Sequence, residues 1–376
     1  MRTLTNVLVF GVLCAWCLTP HVGAAENAKP AMSFEDSKSV LEKLKTAGTI
    51  KKYKLDPGEN KLLKLDLSGS GITDLTVLKG MPLELLHING GDQDPVKVAT
   101  LAGLEGMPLK ELSLQGHVAL ADISAIKGAP LKVLKISGTH HGAPTVTDLS
   151  PLAGMALETV VLSAANKDVN VLKGMPLKSV YLAGAVTDIS GLKGLQLKSI
   201  SLHGAYHLVD LSPLKGMPLE SIDLFGTTPT DLSPLSGMPL KQLDVPTPVS
   251  DLSALKDMPA LESMNLAGSK VTDFSPLKAM KKLKSLSLTD YRTSGIADIT
   301  TLAGLPLKSL NANNCPKLVD FKPLAECKEL ESLTFSPTDK TTGLEVLRKH
   351  ASLKNINGQV AAEFWKKYDA GKPKTP

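Results

Sequence analysis

A six-residue pattern, Leu-x-x-Leu-x-Leu, recurs along most of this chain and constrains its fold more than any other feature. Thirteen units open with such a leucine, and each is 20 to 26 residues long. Units that repeat at this period cannot bury their apolar side chains alone, so they stack on their neighbours as a solenoid. The sequence therefore predicts one elongated array. The units begin at Leu62, Leu83, Leu109, Leu131, Leu157, Leu177, Leu197, Leu219, Leu240, Leu261, Leu283, Leu307 and Leu330.

Each unit reads as a short strand followed by a connector. Alternate side chains of a strand point to opposite faces, so the leucines of Leu109–Leu114 enter the core and the residues between them face outward. In a connector such as the one holding Ser212, Pro213 and Gly216, we expect serine to be the N-cap of a short turn that glycine ends. The predicted fold class is an α/β solenoid, a horseshoe or arc. A parallel β-sheet should lie on its concave face and short helical or 3-10 turns on its convex face.

The first residues of the chain predict export. Residues 1–25 combine Arg2, an apolar stretch from Val7 to Leu18 and a small-residue cleavage site, which is the composition of a signal peptide. An uncleaved anchor is the alternative interpretation. We expect no membrane span after cleavage, because a span needs about 20 apolar residues and no second such run follows. The expected location is secreted, periplasmic or in the cell envelope.

The remaining chain divides into an array with a cap at each end. Residues 26–60 are predicted to form an N-terminal cap, because residues 33–46 have the apolar spacing of an amphipathic helix that Ser33 would cap. The repeat array is expected to cover residues 61–352. An aromatic-rich C-terminal cap and tail should occupy residues 353–376.

Several residue types recur at fixed positions and are predicted to build the array. A methionine in most units should fill the core. The residue after each opening leucine alternates between lysine and glutamate, which predicts a solvated ladder of ion pairs that adds little stability per pair. A recurring aspartate should bond to the backbone of its own connector, and we expect no metal site. These aspartates are Asp74, Asp122, Asp148, Asp188, Asp210, Asp231, Asp251, Asp273, Asp298 and Asp320.

Two cysteines lie in the array, Cys315 and Cys327, both at positions that should point inward. Two interpretations remain open from the sequence. They are two buried thiols, or they form a disulfide, which an oxidising compartment would permit if their Cα atoms approach within roughly 7 Å.

The outward strand positions contain the candidate binding residues. Most are small and polar, but Tyr181, His203 and Phe225 lie in three consecutive units, and Asp223 and Asp244 are next to them. Rigid aromatic side chains beside charged ones are typical of an interface hot spot. Our hypothesis is that these five residues bind a protein or peptide partner. The alternative is a scatter of surface residues without a role.

Composition and motifs disfavour several other functions. The chain has 42 basic and 37 acidic residues, an excess too small and too dispersed to predict nucleic-acid binding. It has no catalytic motif and no phosphate-binding loop, so we expect no enzyme, no catalytic residues and no cofactor. We expect a monomeric protein-binding scaffold. The alternative function is an envelope component that binds glycan or serves structurally.

The strands, together with connectors of the type Thr-Asp-Leu-Ser-Pro-Leu, resemble the bacterial leucine-rich repeats of the internalin-like type. The same short repeat occurs in a eukaryotic phosphatase regulatory subunit. The resemblance covers about residues 61–352 and implies a protein–protein interaction role. Internalin-like ligands vary widely, so the resemblance assigns no binding residue.

Overall fold

The computed structural model describes residues 32–117, 119–138, 146–164, 167–289 and 295–370. Within these residues, sixteen strands form one sheet whose strand order follows the sequence. The strands are β1 (Lys54–Pro57), β2 (Leu63–Asp66), β3 (Leu83–His87), β4 (Glu111–Gln115), β5 (Val133–Ser137), β6 (Thr159–Ala164), β7 (Ser179–Gly184), β8 (Ser199–Ser201), β9 (Ser221–Asp223), β10 (Gln242–Asp244), β11 (Ser263–Asn265), β12 (Ser285–Ser287), β13 (Ser309–Ala312), β14 (Ser332–Phe335), β15 (Asn355–Ile356) and β16 (Gln359–Val360).

The sheet is parallel from β2 to β15, and each strand pairs with the next one along the chain. The first and last strands, β1 and β16, pair antiparallel at the two ends. The leucine positions point inward as predicted: Leu219, Ile222 and Leu224 of one unit are each at most 1% exposed. All thirteen predicted units supply a strand, and β15 adds a fourteenth parallel one. The predicted solenoid fold class is confirmed.

Short 3-10 helices occupy the connectors, where the sequence predicts turns. Many of them are followed by a glycine, as expected, and Gly216 after one of them has a φ of 77° that favours glycine. The 3-10 helices are Glu59–Lys61, Thr76–Leu78, Ser124–Ile126, Ser150–Leu152, Asn170–Leu172, Ser190–Leu192, Ser212–Leu214, Ser233–Leu235, Ser253–Leu255, Ser275–Ala279, Thr300–Leu302, Lys322–Glu326 and Glu345–Lys349.

The recurring aspartates hold the starts of these turns. Asp210 Oδ1 accepts from the backbone N–H of Ser212 at 2.7 Å, and Asp210 Oδ2 accepts from the Ser212 hydroxyl at 2.8 Å. All ten aspartates make the same backbone bond, at 2.7 to 2.9 Å, which confirms local capping. The prediction that Ser212 is the N-cap was wrong. Ser212 is the first residue of the 3-10 helix, and its hydroxyl donates to the carboxylate, which is the stronger acceptor.

The alternating lysines and glutamates form the predicted ladder along one edge of the sheet. Glu220 contacts both neighbours, Lys198 at 3.3 Å and Lys241 at 2.6 Å. Glu158 likewise lies within 4 Å of Lys132 and Lys178. These side chains are mostly exposed, so their pairing aligns adjacent units and adds little to stability.

The N-terminal end of the array is covered by the helix that the sequence predicts. Helix α1 (Phe34–Thr46) starts after Ser33, whose hydroxyl accepts from the Asp36 N–H at 3.1 Å. Leu41 on the inner side of the helix is fully buried. The helix therefore shields the first leucine layer from solvent. The predicted signal peptide at 1–25 lies outside the described residues.

The C-terminal end is covered by helix α2 (Ala361–Ala370). Phe364, Trp365 and Tyr368 are partly buried and pack against the core. The Arg348 guanidinium lies 4.8 Å from the centre of the Trp365 ring. The aromatic side chains of this tail thus cover the last repeat rather than extending into solvent.

Candidate functional site

The outward strand positions line up across the sheet as continuous columns. In the middle column, each residue is the register partner of its equivalent in the next unit, as in Tyr181 with Ser201, Ser201 with Asp223, and Asp223 with Asp244. The column contains Asp66, His87, Ser113, Lys135, Val161, Tyr181, Ser201, Asp223, Asp244, Asn265, Ser287, Asn311 and Thr334.

The five candidate residues, called the central patch below, lie in four consecutive units, on or two residues after strands β7 to β10. The rings of His203 and Phe225 are 5.3 Å apart between centroids and inclined by 32°. His203 Nδ1 is 3.4 Å from Asp223 Oδ2. Asp244 is the register partner of Asp223, and Tyr181 lies two strands away on the other side. The structure therefore brings His203, Phe225 and Asp223 into direct contact and places Tyr181 and Asp244 at the two ends.

Electrostatics couple the ends of the patch to its middle. Burial, followed by the negative charge of Asp223, raises the pKa of Tyr181. The same two causes, in the same order, raise the pKa of Asp244, while a hydrogen bond with Asn265 and the charge of His203 oppose them. The patch is therefore a partly desolvated surface in which the two carboxylates repel each other.

The two carboxylates differ in their local bonds. Asp223 Oδ1 accepts from the Phe225 N–H at 3.0 Å, and its Oδ2 accepts from the Ser201 hydroxyl at 3.0 Å. Such a bond to the backbone N–H two residues on ends the strand with a turn. Asp244 cannot make it, because residue 246 is proline and has no N–H.

Tyr206 extends the central patch and is missing from the sequence prediction. Its side chain is 65% exposed, and Val209 in the same loop is 69% exposed. The Tyr206 ring packs over the backbone of Gly226, where a Cβ would come within 3.2 Å of Cε1. A signal for it exists in the sequence: the unit that opens at Leu197 is two residues longer than the one at Leu177, and the extra residues lie in this loop.

A groove adjoins the patch on the N-terminal side. Its volume is about 530 Å³, and its wall combines glycine backbone with hydroxyl, amide, carboxylate and apolar side chains, among them Asp92 and Val161. Gln115, Ser137 and Ser163 line it, and Tyr181 closes one end. Tyr181 is therefore shared between the groove and the central patch.

Cys315 and Cys327 are two buried thiols in the structure rather than a disulfide. Cys315 Sγ donates to the carbonyl of Leu288 at 3.3 Å, and Cys327 Sγ donates to the carbonyl of Leu302 at 3.2 Å. The two sulfurs thus bond to carbonyls in different parts of their units, and the disulfide interpretation is not realised. Burial raises the pKa of Cys327 to about 11.

Among the residues that the structure describes, no group of three or more histidine, cysteine, aspartate or glutamate side chains is arranged to hold a metal ion. None of the helices in those same segments has the length and apolar character that crossing a membrane requires.

Comparisons with known proteins identify the fold. No protein-family model and no curated protein matches the chain. Its fold is similar to that of an internalin (InlF) from Listeria monocytogenes, with a TM-score of 0.57 and 22% identity over 78% of this chain and 79% of that one. It is also similar to the functional domain of InlJ from the same organism, with a TM-score of 0.50 and 16% identity over 77% of this chain and 62% of that domain. The chain has the fold of an internalin-like leucine-rich repeat protein.

Proposed function

We propose that this chain is a non-enzymatic extracytoplasmic scaffold that binds a protein or peptide on its concave face. The observation that carries the proposal is the central patch, where aromatic and acidic side chains lie together on a face whose other residues are mostly small and polar. The signal-like composition of residues 1–25 supports a location outside the cytoplasm.

The residues that recur from unit to unit support the choice of the central patch, because their side chains already bond within the array. The connector aspartates bond within their own turns, and the lysines and glutamates pair along the ladder. The outward residues that differ from unit to unit are therefore the ones that determine which ligand binds. Aromatic residues such as Tyr181 and Phe225 are enriched among the residues that contribute most to protein interfaces.

The proposal is tested by capture from an extracytoplasmic fraction with the purified chain as bait. The decisive comparison is between the wild type and the double variant Tyr181→Ala/Phe225→Ala. Each hot-spot truncation costs about 2 kcal/mol or more, which is at least about 30-fold in affinity, so the double variant should lose the partner. Val346→Ala, which shortens an exposed apolar side chain in a terminal connector, is the matched control. A partner captured equally by the wild type and the double variant would refute concave-face binding at the patch.

A second candidate function is glycan binding in an envelope, and the groove beside Tyr181 favours it. A wall with hydroxyl, amide and carboxylate side chains and one aromatic ring suits a saccharide. Binding of the chain to cell-wall polymer, lost when soluble glycan is added, would support this function. Gln115→Ala separates the two, because it alters the groove and leaves the central patch intact.

A further inference from the structure

We propose that the concave sheet face from Tyr181 to Asp244 binds a partner segment through an arginine or lysine side chain, whose cation is held by the Asp244 carboxylate. This inference rests on the proposed function and names the chemistry of the partner. It excludes an acidic segment and a neutral saccharide as occupants of this face.

Charge complementarity carries the choice of a basic occupant. Asp223 and Asp244 face outward on neighbouring strands, and no lysine or arginine shares the outward positions of β7 to β10. The nearest ladder lysines, Lys198 and Lys241, already contact Glu220. The outward positions of these four strands are Ser179, Tyr181, Ala183, Ser199, Ser201, His203, Ser221, Asp223, Phe225, Gln242, Asp244 and Pro246.

Another acidic residue on this face, Glu111, is balanced by basic side chains of the protein itself. Glu111 on β4 lies 3.0 Å from His87 Nε2 and 3.6 Å from Lys135 Nζ. Among the outward residues of β7 to β10 that the structure describes, the basic side chain beside Asp223 and Asp244 is His203, on the Asp223 side. A lysine or arginine cation beside Asp244 must therefore come from the partner.

Asp244 is the carboxylate that is open to such a cation. At equivalent positions the side chain turns back to its own strand end, as Asn265 does to the Ala267 N–H at 3.0 Å. Pro246 removes that donor for Asp244, so its side chain contacts Asn265 instead. A partner cation would satisfy this carboxylate and relieve its repulsion with Asp223.

Aromatic rings beside the carboxylates suit a long basic side chain rather than a small cation. Phe225 lies two residues after Asp223, and the exposed Tyr206 ring packs over the neighbouring Gly226. The methylene stem of arginine or lysine packs on such rings while its charged end reaches a carboxylate. Four strands at roughly 4.8 Å spacing give a face about 14 Å wide, enough for several residues of an extended segment.

The test compares two small probes on the full chain by nuclear magnetic resonance. Nα-acetyl-arginine methylamide carries the cation, and Nα-acetyl-citrulline methylamide has nearly the same shape without charge. The chain has only 5 tyrosines and 7 phenylalanines, so aromatic labelling resolves single rings. We expect saturable shifts of Tyr181 and Phe225 with the arginine probe, at roughly millimolar concentration for so small a ligand. The citrulline probe should bind about tenfold more weakly.

Two variants locate the contact. Asp244→Asn should weaken the arginine probe by about tenfold, because the charged acceptor is lost. Pro246→Ala restores a backbone N–H that can donate to Asp244 and should weaken the probe in the same direction. Asp231→Asn, on a convex connector, is the matched control and should have no effect. Circular dichroism checks that each variant is folded.

Equal binding of the two probes, no shift of either ring, or an unaltered response in Asp244→Asn would overturn the inference. Different results would refute the proposed function and the basic contact. If a captured partner depends on Tyr181 and Phe225 but not on Asp244, the scaffold function stands and the basic contact is wrong. If capture ignores the aromatic residues while the arginine probe still needs Asp244, the concave-face scaffold is wrong and the cation site stands.

Discussion

Replacing Leu224 by alanine tests how the array is stabilised. Leu224 is fully buried in an inward column between Leu202 and Val245, which are also buried. The change removes three carbon atoms, which at about 0.8 kcal/mol each amounts to roughly 2.4 kcal/mol of lost transfer free energy. The cavity left behind raises the expected loss of unfolding free energy to about 3 to 4 kcal/mol.

A natural alanine elsewhere in the same column can be compared with Leu224→Ala, for which the loss of unfolding free energy is predicted. The same column already holds an alanine, Ala312, which is buried beside its register partner Phe335. The larger Phe335 side chain is thus the neighbour of the smallest side chain in this column. The neighbours of Leu224 are of ordinary size, so no side chain fills the space left by Leu224→Ala and the full cavity cost should appear.

Native-state hydrogen exchange is the assay, because one unfolding free energy is poorly defined for a long repeat array. Each unit contacts only its neighbours, so the loss should be confined to nearby units. Amides of β8 to β10 should exchange about 100 to 1000 times faster, while those of β2 and β14 keep the wild-type rate. Leu224→Met, which conserves volume, is the control and should change exchange far less. Uniform acceleration along the whole array, or less than about tenfold at β9, would refute the reasoning.

Two buried groups give further predictions. Burial lowers the pKa of His117, whose Nε2 lies 2.9 Å from the Ile88 carbonyl. Below about pH 6.5, His117 binds a proton more readily in the unfolded chain than in the folded chain. The free energy of unfolding therefore falls as the pH falls. The drop in melting temperature between pH 7 and pH 5 should be smaller in His117→Gln, and an equal drop would contradict this. Cys327, with its pKa raised to about 11, should resist iodoacetamide at pH 8 until urea unfolds the chain. Alkylation of the native protein at the rate of a free thiol would show that Cys327 is accessible.

The sequence predicts the columns of this fold well because one register holds from β3 to β14, after a shift between β2 and β3. Tyr181, Asp223 and Asp244 share a column in the structure because the units place equivalent residues opposite each other, even though the connectors differ in length. The capping role of the aspartates was predictable for a similar reason. A short acidic side chain before a turn has a backbone N–H within reach two residues later.

The failures concern side chains with more than one available partner. Ser212 before Pro213 has the signature of an N-cap, but the Asp210 carboxylate accepts hydrogen bonds from both the backbone N–H and the hydroxyl of Ser212. The position of Tyr206 depends on how a two-residue insertion folds over Gly226, which periodicity does not describe. The contact of the His203 and Phe225 rings depends on side-chain rotamers, which a column pattern leaves open.

The bonds within each unit also determine which substitutions can report on function. Asp223 faces the concave surface, yet it bonds to the Phe225 N–H and the Ser201 hydroxyl. Its removal would therefore alter the strand end and the binding surface together. Asp244 has no such backbone bond, because Pro246 offers no donor. A loss of binding in Asp244→Asn can then be assigned to the surface itself, whereas the same loss in Asp223→Asn would also reflect a changed turn.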